Sequence, residues 1–350
     1  MTRYSARMSA NSFVRHSRTV GLVACTLLGA CAAHSESRKE KNATATAPTQ
    51  ATPPTPTRLT FNWGSELDAD VFAIREEFAI KGDSERVSRL EAQFHLHTQR
   101  LGDRYVMVFS ALQMKIDDQP VQESAQPGML GPITGLVLNY EVAANGDFIG
   151  QRDFDRLKNY SERSYLDANE KVPANRRATQ QQAQESMKAS SSREVLELEA
   201  SRTWGALVGM WAGVTLTEGK PLLSDSSVTV PMINAPLTVH SKFELVRREE
   251  CFSGAKKKDC VRLRATSRPD PVQVAEASRK LKESRGGAAE PLSANGIQVE
   301  DRYELLTEPG TMLPRWAEWV RGADIESADL TSELLQSRQS TRSRMIFVYK

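Results

Sequence analysis

The chain has 350 residues, 39% of them hydrophobic and 26% charged, with a formal net charge of +2. This balance is typical of a globular protein and excludes collagen-like, coiled-coil-only and multi-spanning membrane proteins. The charge is unevenly distributed, because the first 30 residues contain four arginines and no acidic residue. Without them, 42 basic residues face 44 acidic ones, a net charge of −2. Neither value indicates a nucleic-acid-binding protein.

The first 30 residues have the pattern of an export signal. A basic leader precedes Thr19–Ala33, an uncharged run of 15 residues, whereas a membrane-spanning helix needs about 20. The run contains Leu28-Gly29-Ala30-Cys31, which resembles the lipobox of bacterial lipoproteins. The resemblance implies removal of residues 1–30 and acylation of Cys31. An ordinary signal peptide with a chance cysteine is the alternative, although Cys25 comes too early in the run to serve as the lipobox cysteine.

An acylated Cys31 would anchor the protein in a membrane of the bacterial cell envelope. Two or three acyl chains, at about 0.8 kcal/mol per buried CH₂, give stable attachment. Ala32-Ala33 resembles an outer-membrane address. Residues 31–57 are rich in Thr, Ala and Pro, with no apolar residue larger than alanine after Cys31. We expect them to form a disordered tether, followed by one globular domain over 58–350.

Alternation of apolar and polar residues predicts antiparallel strands through most of this domain. Phe72, Ile74, Phe78 and Ile80 alternate with other residues, and we expect them to face the core. Leu90 to Leu96 continue the pattern after a Gly-Asp turn, with His95 and His97 on the polar face. Further predicted strands and hairpins are a third strand after Gly102-Asp103, a hairpin around Asn145-Gly146, a pair over 237–245 and 261–266, and strands at 297–307 and 343–349.

Three segments predict helices instead. The segment from Arg176 to Trp211 lacks proline, and its apolar residues, Leu196, Ala200, Trp204, Leu207, Val208 and Trp211, follow helical spacing. A short helix is expected at 271–284, and a helical turn carrying Trp316 and Trp319 after Pro314. The predicted class is α+β, mainly β: a curved, half-barrel-like antiparallel sheet covered by a long central helix. The order of residues 152–190 stays open.

Two cysteines remain in the predicted domain, Cys251 and Cys260. In an oxidising envelope compartment we expect them to form a disulfide, which would stabilise the fold by about 3 kcal/mol. The alternative is a metal or redox pair, but their spacing does not match the usual motifs for either.

His95 and His97 could hold a metal ion if Glu91 or His240 supplied a third ligand. The alternative is that they are ordinary polar-face histidines, and no other metal or cofactor is expected. The sequence contains no G-x-S-x-G, H-E-x-x-H, phosphate-loop or dinucleotide motif. We therefore predict a protein that is not an enzyme.

The lipobox, the tether and the β-rich domain with its covering helix together resemble envelope lipoproteins of the LolA and LppX type. The resemblance implies a module that binds a lipid or another apolar ligand between sheet and helix. Trp204, Leu207, Val208 and Trp211 would then line the ligand cavity; the alternative, which the usual burial of such residues favours, is that they are core residues of a helix packed on the sheet. A second hypothesis is a scaffold lipoprotein with a filled core that contacts another envelope protein. A third is a hydrolase whose catalytic residues are dispersed along the sequence.

Overall fold

The computed structural model describes residues 55–81, 84–120, 137–155, 158–159, 192–230, 235–253, 256–284, 297–325 and 337–350. Its strands are β1 Thr57–Arg58, β2 Glu66–Lys81, β3 Ser84–Leu101, β4 Arg104–Ile116, β5 Gln119–Pro120, β6 Val137–Ala143, β7 Phe148–Arg152, β8 Thr215–Leu216, β9 Leu222–Val230, β10 Ala235–Ser253, β11 Lys256–Pro269, β12 Ile297–Thr307, β13 Pro314–Ile325 and β14 Ser337–Tyr349. The described helices are α1, Arg193–Trp204, which continues as a π-helical segment over Gly205–Gly209, and α2, Pro271–Ser284.

One antiparallel sheet of twelve strands dominates the described part of the chain. Its order is β7-β6-β4-β3-β2-β14-β13-β12-β11-β10-β9, and β5 pairs with β4. The first long strand, β2, and the last, β14, are therefore neighbours near the middle of the sheet. This confirms the mainly β class and the antiparallel sheet. The predicted half-barrel curvature stays a prediction.

The hairpins and strands predicted from period-two alternation are present. β2 pairs with β3 and β3 with β4. β6 and β7 form the hairpin at Asn145-Gly146, where Gly146 has a φ of +96°. β10 pairs with β11, and β12 and β14 contain the two later predicted strands. The short helix predicted at 271–284 is α2.

A single long central helix is not seen in the described residues. α1 has 12 residues and α2 has 14, and residues 176–191 of the predicted helix lie outside the described residues. Glycines account for the irregular end of this helical region, because they favour neither a regular helix nor a fixed φ. Gly205 and Gly209 bound the π-helical segment, and Gly213 has a φ of +81°.

The predicted helical turn after Pro314 is wrong, because this segment is strand β13. Trp316 and Trp319 pair with Ile346 and Ser343 of β14. Proline is tolerated at the first position of a strand, and tryptophan favours the extended conformation. The alternation places Trp319 in the core, whereas Trp316 points to the opposite face of the sheet.

The predicted buried face of β2 is also wrong. Ala69 and Val71 are buried, whereas Phe72 is 43% exposed. Directly paired residues share a face of a sheet, and Phe72 and Ile74 pair with Gln93 and Glu91 on the polar face of β3. The helical region packs on the face that carries Val71, which we call the inner face, and the opposite face is the outer face.

The core lies between the inner face, the helical region and an extended segment near the start of the described chain. Leu59, Phe61 and Trp63 of this segment are buried. Its backbone bonds on one side to Gly213 and Val214 and on the other to the connection between β12 and β13. This segment therefore joins the end of the helical region to the C-terminal half of the sheet.

Candidate functional site

The four side chains predicted to line a ligand cavity all lie in the packed core. They are almost completely buried: Trp204, Leu207, Val208 and Trp211. The ring centroid of Trp204 is 5.8 Å from that of Phe61 and 5.6 Å from that of Trp63. The ring centroid of Trp211 is 5.7 Å from that of Phe243. Aromatic rings of the protein itself thus cover both tryptophans.

The indole N–H groups of these tryptophans also bond within the protein. Trp204 donates to the carbonyl oxygen of Gly146 at 2.7 Å, and Trp211 to that of Ala206 at 3.1 Å. An indole has one donor and no acceptor. Both residues therefore have the environment of structural core residues, with their polar groups satisfied.

A buried charged group that the sequence analysis did not identify lies where α1 meets the inner face. Asp301 and Arg321 are paired residues of β12 and β13, with Arg321 Nε 3.8 Å from Asp301 Oδ2. Tyr303 donates its hydroxyl hydrogen to the same oxygen at 2.9 Å. Arg321 Nη1 lies 3.7 Å from Glu199 Oε2 on α1. The group therefore joins two strands to the helix.

Burial controls the ionisation of this group. Burial raises the pKa of Asp301, even though Arg321 and the Tyr303 hydroxyl act in the opposite direction. Burial alone would lower the pKa of Arg321, but the charge of Asp301 together with Tyr303 and Glu199 outweighs it, and the pKa is raised. The pKa of Tyr303 is raised by burial and by the same charge. No local pattern in the sequence identifies Arg321 as a neighbour of Asp301 and Tyr303, because it lies on a different strand.

The outer face carries a continuous apolar row across four strands. Phe72, Ile346, Trp316 and Leu306 are successive cross-strand neighbours on β2, β14, β13 and β12, and we call them the outer apolar row. Ile346 is 47% exposed, and Val348, two residues along β14 on the same face, is 50% exposed. Arg262 of β11 lies over the Trp316 ring, 5.2 Å from its centroid. These side chains form an apolar patch near the middle of the sheet, on a face that also carries many charged residues.

The next row of the outer face consists of paired charges. Arg344 donates from Nε to Glu318 Oε2 at 2.6 Å. Glu304 lies opposite Glu318 and accepts from Nε and Nη2 of Arg264 at 3.0 and 2.9 Å. Each of these two arginines neutralises a carboxylate, so the two ion pairs together have no net charge.

His95 and His97 lie side by side on the outer face of β3, as predicted, but neither predicted third ligand is with them. Glu91 forms an ion pair with Arg89, and His240 bonds to Asp225 on β9 at 2.8 Å. The groups facing His95 and His97 are carboxylates of β2.

Asp70 Oδ1 lies 3.4 Å from His95 Nδ1, and Asp68 Oδ1 lies 3.0 Å from His97 Nδ1. The sequence contains the information needed to identify Asp70 and Asp68 as the partners of His95 and His97. Lys81 pairs with Ser84 across a two-residue turn, and the length of a hairpin loop fixes the register of its strands.

The disulfide prediction is confirmed, since Cys251 and Cys260 are bonded. The bond links β10 and β11 close to their connecting turn, and both half-cystines are buried. Cys31, the predicted site of lipid attachment, lies outside the described residues. Among the described helices, none is long and apolar enough to span a membrane.

Comparisons with known proteins identify no family for this chain. No protein-family model matches the chain, and no curated protein matches it. Among solved structures, the chain is similar to a lipovitellin described in terms of its lipid–protein interactions, with a TM-score of 0.41 and 5% sequence identity. The similarity covers 82% of this chain and 25% of the lipovitellin chain, so this chain spans about a quarter of that protein.

Proposed function

We propose that this protein is a lipid-anchored, non-enzymatic binding protein of the bacterial cell envelope. Its domain has a filled core, and the outer apolar row contacts the lipid of the membrane that carries the anchor. The proposal rests on the exposure of three apolar side chains. Phe72 and Ile346 in the row and Val348 beside it are each about half exposed. Exposed apolar groups that form a continuous patch are typical of interaction surfaces.

The anchor part of the proposal is supported by the N-terminal sequence. A basic leader, an apolar run and Leu28-Gly29-Ala30-Cys31 follow one another in the order of a lipoprotein signal. Ala32-Ala33 supports the outer membrane as the destination. Exchange of Cys31 for serine should release the protein into the soluble fraction.

The free energy that the outer apolar row can gain by entering lipid is small. This is sufficient only if a lipid anchor also holds the protein at the membrane. Complete burial of a large apolar side chain contributes about 1.5–3 kcal/mol. Phe72, Ile346 and Val348 are already about half buried, so each has about 1 kcal/mol left to gain. Three such contributions give weak binding, before the cost of ordering is subtracted.

The tether compensates for this weak binding. Thr57 belongs to β1, so the proposed tether is residues 31–54, and a flexible chain of that length has a root-mean-square span of about 25–30 Å. It would hold the domain close to the bilayer and raise the effective concentration of lipid at the row. Contact of the row with the membrane would then be frequent although its intrinsic affinity is low.

The inner face offers less support for a ligand site. Trp204 and Trp211 are covered by aromatic side chains, and their N–H groups bond to backbone carbonyls. This environment supports the hypothesis of a filled core over that of a cavity beneath the helix. In the scaffold hypothesis the outer apolar row would contact a protein instead of lipid, and the experiment below separates the two.

Tryptophan quenching by brominated acyl chains tests the proposal in the mature Cys31→Ser protein, held at the vesicle by an N-terminal histidine tag on a nickel-chelating lipid because the row alone binds weakly. Vesicles of phosphatidylethanolamine and phosphatidylglycerol serve as the probe. Phe72→Ser with Ile346→Ser should weaken contact of the row with the vesicle by about thirtyfold, since each loses about 1 kcal/mol. The matched control is Leu223→Ser, an apolar residue 73% exposed on the edge strand β9, which should be quenched like the parent.

Salt provides a second readout. The proposed contact is apolar and the two ion pairs beside it have no net charge, so raising NaCl from about 0.05 to 0.5 M, which shortens the screening length severalfold, should leave contact of the row with the vesicle unchanged. Equal quenching of the double variant and the parent would overturn the proposal. Absence of quenching in the tethered parent would also overturn it and favour a protein partner for the row.

A further inference from the structure

Carboxylates and imidazoles meet on the outer face at one end of β2 and β3. Glu66, Asp68 and Asp70 alternate along β2, and His95 and His97 alternate along β3. The register pairs Asp68 with His97 and Asp70 with His95. All five side chains therefore lie on one face, within three successive rows of the sheet.

Asp68 is the centre of this cluster. Its Oδ1 lies 3.0 Å from His97 Nδ1 and 3.3 Å from His95 Nε2. Glu66 Oε1 lies 3.9 Å from His97 Nε2. One ligand atom from each of Glu66, Asp68 and His97 can be chosen so that all three are within 4.8 Å of one another.

We propose that this cluster is a binding site for a zinc-type divalent cation. Glu66, Asp68 and His97 would be the ligands, with His95 Nε2 as the fourth. Zinc binds imidazole nitrogen and carboxylate oxygen at about 2.0–2.2 Å in a tetrahedral arrangement, so its ligand atoms lie about 3.3–3.5 Å apart. Asp68 Oδ1 is already close to this spacing from His97 Nδ1 and from His95 Nε2. Glu66 Oε1 lies nearer to the other ring nitrogen of His97, and rotation of the exposed Glu66 side chain would bring it to the ion.

The surroundings of His95 match those of a metal-bound histidine. Such a histidine usually bonds through its other ring nitrogen to a carboxylate, which fixes the orientation of the ring. His95 presents Nε2 to Asp68 and Nδ1 to Asp70. Asp70 is held in turn by Lys350 Nζ at 3.0 Å. Asp70 is therefore a positioning residue, and the C-terminal end of the chain supports it.

The donor set also selects the kind of cation. Two carboxylates, Glu66 and Asp68, neutralise one divalent ion. Two imidazoles favour zinc and related transition metals over Ca²⁺ and Mg²⁺, which prefer oxygen ligands in larger number or with bound water. A bound ion would join β2 to β3 beside Val348. This inference does not depend on lipid binding by the outer apolar row.

Isothermal titration of the mature Cys31→Ser protein with ZnCl₂ tests the proposal. We expect one saturable site, weakened at least about tenfold by His97→Gln or by Asp68→Asn, and about tenfold or more by Asp70→Asn, as is usual for a supporting carboxylate. His240→Gln is the matched control, since His240 also bonds to an aspartate, Asp225, but has no such cluster around it. This variant should bind zinc like the parent.

The contrary outcomes are distinct. The proposal is overturned if the parent shows no saturable zinc binding, or if His97→Gln and His240→Gln change the affinity equally. The Asp68→Asn variant keeps the test valid if His97→Gln does not fold, and circular dichroism of each variant establishes which case applies. A site that CaCl₂ occupies as tightly as ZnCl₂ would also contradict the proposed donor chemistry.

Discussion

Trp204 donates its indole N–H to the carbonyl oxygen of Gly146, 58 residues earlier in the chain. The bond fastens the end of α1 to the turn between β6 and β7. A Cβ atom on Gly146 would lie 2.9 Å from Cβ of Ala212 and 3.2 Å from Cβ of Phe61. The hairpin turn, the helical region and the extended segment that contains Phe61 therefore meet at a residue that has no side chain.

Exchange of Gly146 for alanine should strongly destabilise the domain. The φ of +96° costs an L-residue about 1–2 kcal/mol, and the contacts with Ala212 and Phe61 add about 1–3 kcal/mol of overpacking. Gly213→Ala is the control, because Gly213 has a φ of +81° and no atom within 4 Å of its added Cβ. Urea unfolding should show a clearly larger loss for Gly146→Ala. Equal losses would mean that the close approach has no energetic consequence.

Removal of the Arg321 charge should leave Asp301 buried beside no adequate cation. We expect Arg321→Met to reduce the free energy of unfolding by about 3 kcal/mol. Addition of Asp301→Asn should cost less than the sum of the two single changes, because the pair then contains no uncompensated charge. Arg342→Met, which breaks an exposed pair with Glu318, should cost no more than about 1 kcal/mol. Simple additivity in the cycle would contradict the coupling.

Tyr140 should make the domain sensitive to alkaline pH. Burial raises the pKa of Tyr140 to about 12, above an unfolded value of about 10. The folded state therefore retains a proton that the unfolded state loses, and stability is fully present below about pH 10 and declines as pH rises towards 12. Tyr140→Phe should flatten part of this decline. Urea unfolding at about pH 8 and pH 11 measures it, and identical pH dependence in both proteins would exclude this role.

Much of the fold follows from local sequence patterns, and the failures have identifiable physical causes. Period-two alternation predicts the strands but not which side of a strand packs on the core. In β2, small residues such as Ala69 face the helical region, whereas the larger Phe72 faces outwards. When a strand has apolar residues on both faces, alternation alone does not show which face is buried. In β2, the pairing with the polar face of β3 shows that Phe72 lies on the outer face.

Some features of the candidate sites also follow from local sequence patterns, whereas others depend on which strands pair. The disulfide follows from the position of two cysteines beside one turn, and the shared face of His95 and His97 follows from their spacing. Asp301 and Arg321 come together only through the pairing of β12 with β13. The outer apolar row likewise requires four strands in register, which no local pattern reveals.

A fluorescent label beside the outer apolar row tests the central claim most directly. Val348→Cys in the mature Cys31→Ser protein, held at the vesicle by an N-terminal histidine tag on a nickel-chelating lipid, carries an environment-sensitive fluorophore, and Leu223→Cys on β9 carries the same label as control. With phosphatidylethanolamine and phosphatidylglycerol vesicles, the account predicts a blue-shifted emission at position 348, quenched by brominated acyl chains, and no change at position 223. An unchanged emission at position 348, or the same shift at both positions, would contradict insertion of the outer apolar row into lipid.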